Sequence, residues 1–404
     1  MAQDNRSDYL ADIKVGFDVP PKNMEQFSIR EVTMMESLMT PGLQTSVMVD
    51  SYLHNPVKNW DDFKNAGVVI KIERPILARY GFPSKMAFNN TVYRMQNRHL
   101  INNNNENLTI QALHETQLED ARKLISKPWK CKTPSTVVRE VLGACVGASQ
   151  INVEESGPAR DYTAENIHPY QVIAQQAEVA LTGQGDPSFL HFMTYENNGT
   201  HHFRSLEQMT KQSPVAKFLF TETGYNPETG EDRGYQNPHS ILTHSFPCDF
   251  DLLSDLLNGT DTDGTFIGAL ITENLKNTLS SSFNFTPGAC ATGATLKTAQ
   301  SNVNTAEDQL SCPIDVESHL LKRQARMGLL EQDKIALRIT VPWNPVLNAG
   351  KVIEIERKSN DLKGVKLYGS GAYLIHTLTH IVKAGGYATT VMDCVSTTVG
   401  QGVA

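Results

Sequence analysis

The sequence predicts an α+β, mostly β protein. Three observations carry this expectation: apolar residues alternate with period two near both ends of the chain, the period changes to a helical one in the middle, and turn residues interrupt the pattern often. Val68, Ile70 and Ile72 face away from Val69, Lys71 and Glu73, and Ile335, Leu337, Ile339 and Val341 face away from Ala336, Arg338 and Thr340. That is the mark of half-buried strands. At 404 residues the chain exceeds the size at which a single core usually keeps growing, so two or three domains are expected.

Taken in order, strand character appears at 26–34, 44–51, 68–74, 87–95 and 108–114, and the asparagine-rich stretch Asn102 to Asn107 reads as a hairpin tip. A small β barrel or sandwich is the natural packing for so many short strands. Thr133 before Pro134 then makes a good helix start, with Val137, Val138, Val141, Leu142, Cys145 and Val146 on one face. A second helix is expected to start at His168-Pro169 and to bury Tyr170, Ile173, Ala174, Ala177 and Leu181. There follow an aromatic strand from Phe189 to Tyr195, a turn at Asn197-Asn198-Gly199, a strand around His202-Phe203, and a short helix opened by the capping-box pair Ser205 and Gln208.

Beyond Gln236 the pattern returns to β. The stretch 283–313 is poorly patterned, which suits a binding loop or a segment ordered only on assembly. Asp315 is placed to cap a helix reaching about Leu330, and strands close the chain at 334–341, 351–357, 372–381 and 387–395. Between the first two of these, Pro342 and Pro345 cannot donate to a sheet ladder, so the chain must leave the sheet there, beside Trp343, and Gly350 lets the backbone re-enter. The expected division is 1–130, a β barrel; 131–240, an α+β insert; and 241–404, a second β region carrying the long loop 283–313.

Candidate chemistry is sparse. His376 and His380 would form half of a zinc site on a helix, but on a strand four residues span about 13 Å, too far for two ligands of one metal. Both should therefore be replaceable by alanine with folding nearly intact. His201 and His202 are adjacent on a strand, point to opposite faces and are expected at the surface or the core edge. Asp249, Asp251 and Asp255 suggest a glycosidase carboxylate pair less well than the wet side of an amphipathic element carrying Leu252, Leu253, Leu256 and Leu257. Gly369 and Gly371 precede a strand, whereas a phosphate cradle should open a helix, and no G-x-S-x-G or cysteine-nucleophile motif is present. No catalytic, cofactor-binding or metal-ligating residue is assigned, and no cofactor is expected. The six cysteines, Cys131, Cys145, Cys248, Cys290, Cys312 and Cys394, are scattered and read as reduced thiols. The net charge of −8 weighs against a sequence-reading nucleic-acid binder. The N-terminus lacks a signal-peptide core and no run approaches a membrane span, so synthesis and folding in the cytoplasm are expected.

Taken together, LRITVPWNPVLNAGKVIEIE (Leu337 to Glu356) and GSGAYLIHTLTHIVKAGGYATTVMDCV (Gly369 to Val395) resemble the C-terminal signature of central baseplate hub proteins of contractile, myovirus-type phage tails, the late-control protein D-like tail hub family. Upstream, NIHPYQVIAQQAEVA (Asn166 to Ala180) and FLHFMTYENNGTHHFRSLEQMTKQ (Phe189 to Gln212) resemble the middle domain of that family. The resemblance implies two tube-protein-like β-barrel domains with a peripheral α+β insert. It also implies a homotrimer that adapts a threefold tail spike to a sixfold tail tube and lines part of the DNA-ejection channel. The implied partners are the spike, a tube or tube-initiator protein and baseplate wedge proteins, with DNA only in transit and no membrane anchoring. The implied location is the virion tail baseplate, after assembly in the host cytoplasm, and no enzymatic activity is implied. Two other classes remain open: a tail-associated enzyme degrading peptidoglycan or surface polysaccharide, and a carbohydrate-binding receptor module, which should expose clustered tryptophans rather than the separated Trp60, Trp129 and Trp343. Metal analysis of the purified protein is expected to find no stoichiometric zinc; one tightly bound zinc per chain would overturn the strand assignment around His376 and His380.

Overall fold

A computed structural model describes residues 10–18, 27–52, 63–102, 105–221, 235, 237–247, 323, 326–328, 330, 335–358 and 369–396. The acidic stretch 249–257, the loop 283–313, the helix start at Asp315, and Cys248, Cys290 and Cys312 lie outside the described residues. The chain is α+β and mostly β, as the alternation predicts.

The first set of strands comprises β1 (Asp12–Phe17), β2 (Phe27–Ser37), β3 (Thr40–Tyr52), β4 (Gly67–Glu73), β5 (Lys85–Asn102) and β6 (Asn105–Leu113). They pair in the order β1-β4-β5-β6-β3-β2, every neighbour antiparallel. The period-two pattern of β4 does what the sequence requires: Val68, Ile70 and Ile72 are buried, joining Val32, Met34, Val47, Phe88 and Ile110 in one core. β5 and β6 pair out to Asn102 opposite Asn105, next to the expected hairpin tip.

The middle of the chain supplies α1 (Glu115–Arg122), β7 (Ile125–Lys132), α2 (Pro134–Glu140), β8 (Ile151–Val153), β9 (Arg160–Ile167), α3 (Pro169–Val179), β10 (Phe189–Thr194), β11 (Thr200–Ser205) and α4 (Leu206–Thr210). Thr133 caps α2 by accepting from the Thr136 amide, and Pro134 occupies the first turn, where its missing N–H costs nothing. The helix continues as a π-helical turn over Val141–Val146. α3 starts at Pro169 as expected, but its buried face is rotated to Val172, Ile173, Gln176 and Ala177, leaving Ala174 exposed. Ser205 caps α4 through the Gln208 amide; the reciprocal bond comes from Glu154, which accepts from the Ser205 amide at 2.8 Å, rather than from Gln208. Asn197, Asn198 and Gly199 all have positive φ (51°, 65° and 98°), the left-handed turn that the Asn-Asn-Gly signal predicts.

The second set comprises β12 (Ala216–Thr221), β13 (Thr243–Ser245), β14 (Leu337–Pro342), β15 (Val352–Lys358), β16 (Gly371–Lys383) and β17 (Ala388–Val395). They pair in the order β12-β15-β16-β17-β14-β13, antiparallel except for the parallel pair β12·β15. A bridge between Leu219 and Ser240, just ahead of β13, returns the ladder to β12 and closes the ring. Counted from its own start, each set therefore has the spatial order first, fourth, fifth, sixth, third, second. The strand order is duplicated in a chain with no readable sequence repeat.

The two rings share a strand. β16 gives residues 371–374 to β15 and 377–383 to β2 along the same edge, with β17 on the other. The tip of the β16–β17 hairpin then fills the gap between β2 and β1: Ala384 N donates to Arg30 O at 2.7 Å, and Ala11 N donates to Gly386 O at 2.8 Å. Closure leaves no long unpaired edge in either ring.

The Pro-Trp corner belongs to this joint. Trp343 is 0% exposed and lies in the core of the first ring with Val382 and Ala388, although it follows β14 of the second. Its amide donates to Ala388 O at 3.0 Å and its carbonyl accepts from Arg74 Nη1 at 3.0 Å. Gly350 has φ of 79°, and a Cβ there would lie 2.9 Å from Phe192 Cζ, so the corner can be closed only by glycine. Trp343→Ala is expected to cost about 3–5 kcal/mol in chemical denaturation, the range for a large aromatic removed from a core. Amide exchange should rise in β1, β4 and β5 more than in β12 and β15. A loss below about 1 kcal/mol would show that the ring is not a core element.

Candidate functional site at the junction and the shared sheet face

Two features stand out: two uncharged rows on an outer sheet face that crosses from one ring to the other, and a buried polar junction beneath it. On β16, Leu378, His380 and Val382 point inward, so Thr377, Thr379 and Ile381 point outward. The registers extend that face in rows. One row runs Thr340, Val391, Thr379, Met35, Gln44, Leu113, and the next runs Pro342, Thr389, Ile381, Thr33, Ser46, Gln111. These twelve positions on six strands carry no charge, and all but the buried Pro342 are at least partly exposed. The rows on either side are charged: Arg338 with Asp393, a two-pronged pair at 2.5 and 3.0 Å, stands at one margin, and Glu31, which accepts from Thr33 Oγ1 at 3.2 Å and lies opposite Lys383 in the register, stands at the other. Between these margins the two rows offer hydroxyl, amide and small apolar contacts and no fixed charge.

Beneath it, one carboxylate ties three parts of the chain together. Glu36 on β2 is fully buried; its Oε1 accepts from the Tyr195 amide of the insert at 2.6 Å, and its Oε2 accepts from the Ala349 amide of the second ring's corner at 2.8 Å. Burial pushes its carboxyl up to about 8, against the pull of the two amides; Glu196 raises it further and Lys351 lowers it. The Tyr195 side chain enters the first ring's core, where its hydroxyl donates to Gln44 O at 2.8 Å and meets Thr45 Oγ1 at 2.9 Å, while Asn90 Nδ2 donates to the same Thr45 oxygen at 2.7 Å. On the other side Arg74, also buried, donates to Trp343 O and to Tyr235 O and lies over the Tyr235 ring, 4.6 Å from its centre. An apolar cluster of Leu38, Phe192, Met209, Leu374 and Val395 supplies the adhesion around these bonds.

The histidines singled out from the sequence all belong to the interior. His376 and His380 both lie on β16, as the strand pattern requires, and both are buried. His380 is fully buried, bonds Thr390 Oγ1 through Nδ1 at 2.8 Å and meets the edge of Trp343, with its pKa pushed down to about 3 by burial. Replacing both by alanine would leave a cavity and strand the Thr390 hydroxyl, so the expectation of nearly intact folding is corrected. His201 and His202 do point to opposite faces, yet both are buried rather than at the surface or core edge, because Thr116 of α1 and Tyr170 of α3 cover His201, while His202 lies against Phe192, part of the apolar cluster with Leu38 and Leu374. His201 stacks on His191, and His202 on Phe192. Sequence reading missed Glu36, Arg74 and His191: a lone charge in an alternating strand gives no signal that it will be buried until the docking partner is known. Among the described residues no group of three or more His, Cys, Asp or Glu side chains is arranged to hold a metal ion, and no described helix is long and apolar enough to cross a membrane.

No protein-family model matches the chain, and no curated protein matches its sequence. Its fold does have solved counterparts. The tail protein from Neisseria meningitidis MC58 superposes with a TM-score of 0.54 at 10% identity, over 96% of this chain and 97% of the other. The 43 kDa tail protein of prophage MuSo2 from Shewanella oneidensis gives 0.52 at 9% identity, over 96% and 99%. The likeness at such identity is one of fold, and it extends over nearly the whole of both chains: this chain shares its fold with these two tail proteins.

The junction makes a pH prediction. The folded pKa of Glu36, about 8, lies above its unfolded value near 4.5, so its contribution is fully present below pH 4.5 and is lost as pH rises through about 8. Urea melts at pH 6 and pH 9 should show the wild type losing stability. Glu36→Gln, which cannot ionise and turns an amide hydrogen toward one of the two N–H groups, should start about 1–3 kcal/mol lower and show a smaller loss over the same interval. Equal losses in the two proteins would remove Glu36 as the cause.

Proposed function

We propose that the protein is a structural component of a phage tail baseplate: a homotrimeric hub that adapts the threefold spike to the sixfold tail tube and forms part of the DNA-ejection channel. The observation that carries this reading is the duplicated strand order. A sixfold partner presents six equivalent surfaces, and three chains can meet all of them only by offering one shape twice per chain. Two rings of common order, joined rigidly through β16, supply that. In this reading the chain divides into a first barrel within 1–130, a peripheral insert within 131–240 and a second barrel within 241–404, with β12 passing from the middle segment into the second ring. The two uncharged rows across β14, β17, β16, β2, β3 and β6 line the channel, where DNA must slide without sticking. Spike, tube or tube-initiator and wedge proteins are the partners, DNA passes only in transit, and the virion tail is the location.

The fold shared with two tail proteins supports a structural rather than an enzymatic role. The test is direct: electron microscopy of the purified protein, with a mass measurement, should give a three-chain ring with a central hole and six lobes near 60° apart. A monomer, or release of sugar or peptide from cell-wall substrates by the isolated chain, would overturn the hub and favour the tail-associated enzyme.

A further inference from the structure

A hydrogen-bonded chain of three imidazoles and one hydroxyl, half-buried at His114 and buried at Thr116, His201 and His191, joins α1, which follows directly on the first ring, to the insert. Its direction follows from its ends. His114 Nε2 lies 3.0 Å from Asn198 O, and a carbonyl only accepts, so Nε2 carries the hydrogen and Nδ1 is the lone-pair nitrogen. Nδ1 therefore accepts from the Thr116 hydroxyl at 2.8 Å as well as capping the Thr116 amide. Having donated its single hydrogen, Thr116 Oγ1 accepts from His201 Nε2 at 3.0 Å and from the Tyr170 hydroxyl at 3.3 Å. His201 Nδ1 is then an acceptor and takes the hydrogen of His191 Nε2 at 3.2 Å. That leaves His191 Nδ1 as a buried lone pair with no partner. All three imidazoles are neutral Nε2–H tautomers. The chain cannot run the other way without stranding an N–H at His191.

The far end is tied to the first ring as well: Asn198 Oδ1 accepts from the Asn89 amide of β5 at 2.6 Å. We propose that this chain is an acid-operated clasp, holding the insert against the first ring while its imidazoles are neutral and opening when His114 Nδ1 takes up a proton. Protonation there turns an acceptor into a donor. Thr116 Oγ1 would then face hydrogens from His114, His201 and Tyr170, and its own hydrogen would have only the Met193 thioether, 3.9 Å away, a weak acceptor. Among the described residues, the charged and titratable groups around the chain do little to stabilise a cation. Glu115 favours a charged His114; Asp120 on α1 is engaged by the Tyr170 amide, and His168 caps α3 beside it. His202 on β11 opposes positive charge on His201, Arg204 acts on His202 rather than on the chain itself, and Glu196 pairs with Lys351 at 3.6 Å. Burial lowers all three imidazoles, His191 to about 3. Such groups contribute stability above their unfolded value near 6.5 that is lost as pH falls toward the folded one.

Hydrogen exchange of the intact protein at pH 7.4 and pH 5, corrected for the chemical exchange rate, tests the clasp. Amides of β10, β11 and the start of α1 should open about tenfold more at pH 5, while those of β14 and β17 stay unchanged. His114→Asn keeps a good helix cap but cannot take the proton, and should reduce the pH-dependent increase to the part that His191 and His201 contribute. No change in the wild type, or the same increase in His114→Asn, would overturn the clasp. Should the variant fail to fold, nitrogen-15 spectra of the wild-type histidines at pH 7.4 decide: Nε2–H at His114, His191 and His201 is expected, and an Nδ1–H at any of them refutes the chain.

Discussion

Both rings depend on the forked edge of β16. A bulge between Ile375 and Thr377 divides the strand, and a one-residue insertion reverses which side chains face inward. Tyr373 and Ile375 before the bulge and Leu378 after it all serve the core of the second ring, whereas Val382 at the far end serves the first. Without the parity change, Thr377 and Thr379 would point inward and Leu378 outward. The same edge could then not pair with β15 at one end and β2 at the other while keeping an apolar interior throughout.

Around that strand, apolar and polar contacts divide the labour. The cluster of Leu38, Phe192, Met209, Leu374 and Val395 is adhesive but tolerant of small displacements. The bonds of Glu36, Arg74 and Tyr195 are not: each buried polar group must find its partner or bear the full cost of desolvation, so only one docking of the three parts satisfies them. Trp343 works the same way by shape, reaching from the second half of the sequence into the first core. The rings are consequently parts of one body rather than two domains on a tether.

The common strand order also explains the one departure from it. β1 meets β4 antiparallel, while β12 meets β15 parallel. β12 enters the second ring from α4 of the insert, which packs beside the Gly350 corner: Gln212 Nε2 donates to Gly350 O at 2.9 Å, and Val215 N donates to Val352 O at 2.8 Å. The strand is thus delivered at the end of the ring where β15 begins and runs alongside it. An insertion between the rings has changed a direction without changing the order. The two uncharged rows of the outer face are preserved across the join because the pairing of β16 with β2 keeps Thr379 beside Met35 and Ile381 beside Thr33.

By itself the sequence determined the local periods and punctuation: the alternation of β4 and β14, the caps at Thr133, His168 and Ser205, the left-handed turn at Asn197 to Gly199, and the departure from the sheet at Pro342. These are short-range properties, fixed by backbone sterics and by which atoms lie within a few residues. Only the tertiary structure decided which core Trp343 fills, that β12 belongs with β15, that His201 and His202 are interior, and that Glu36 is a joint rather than a surface acid. Each of these joins residues far apart in the chain, 313 positions in the case of Glu36 and Ala349. The free energy that settles them is that of burial and of satisfying buried polar groups, which depends on what covers a residue rather than on what stands next to it in the sequence.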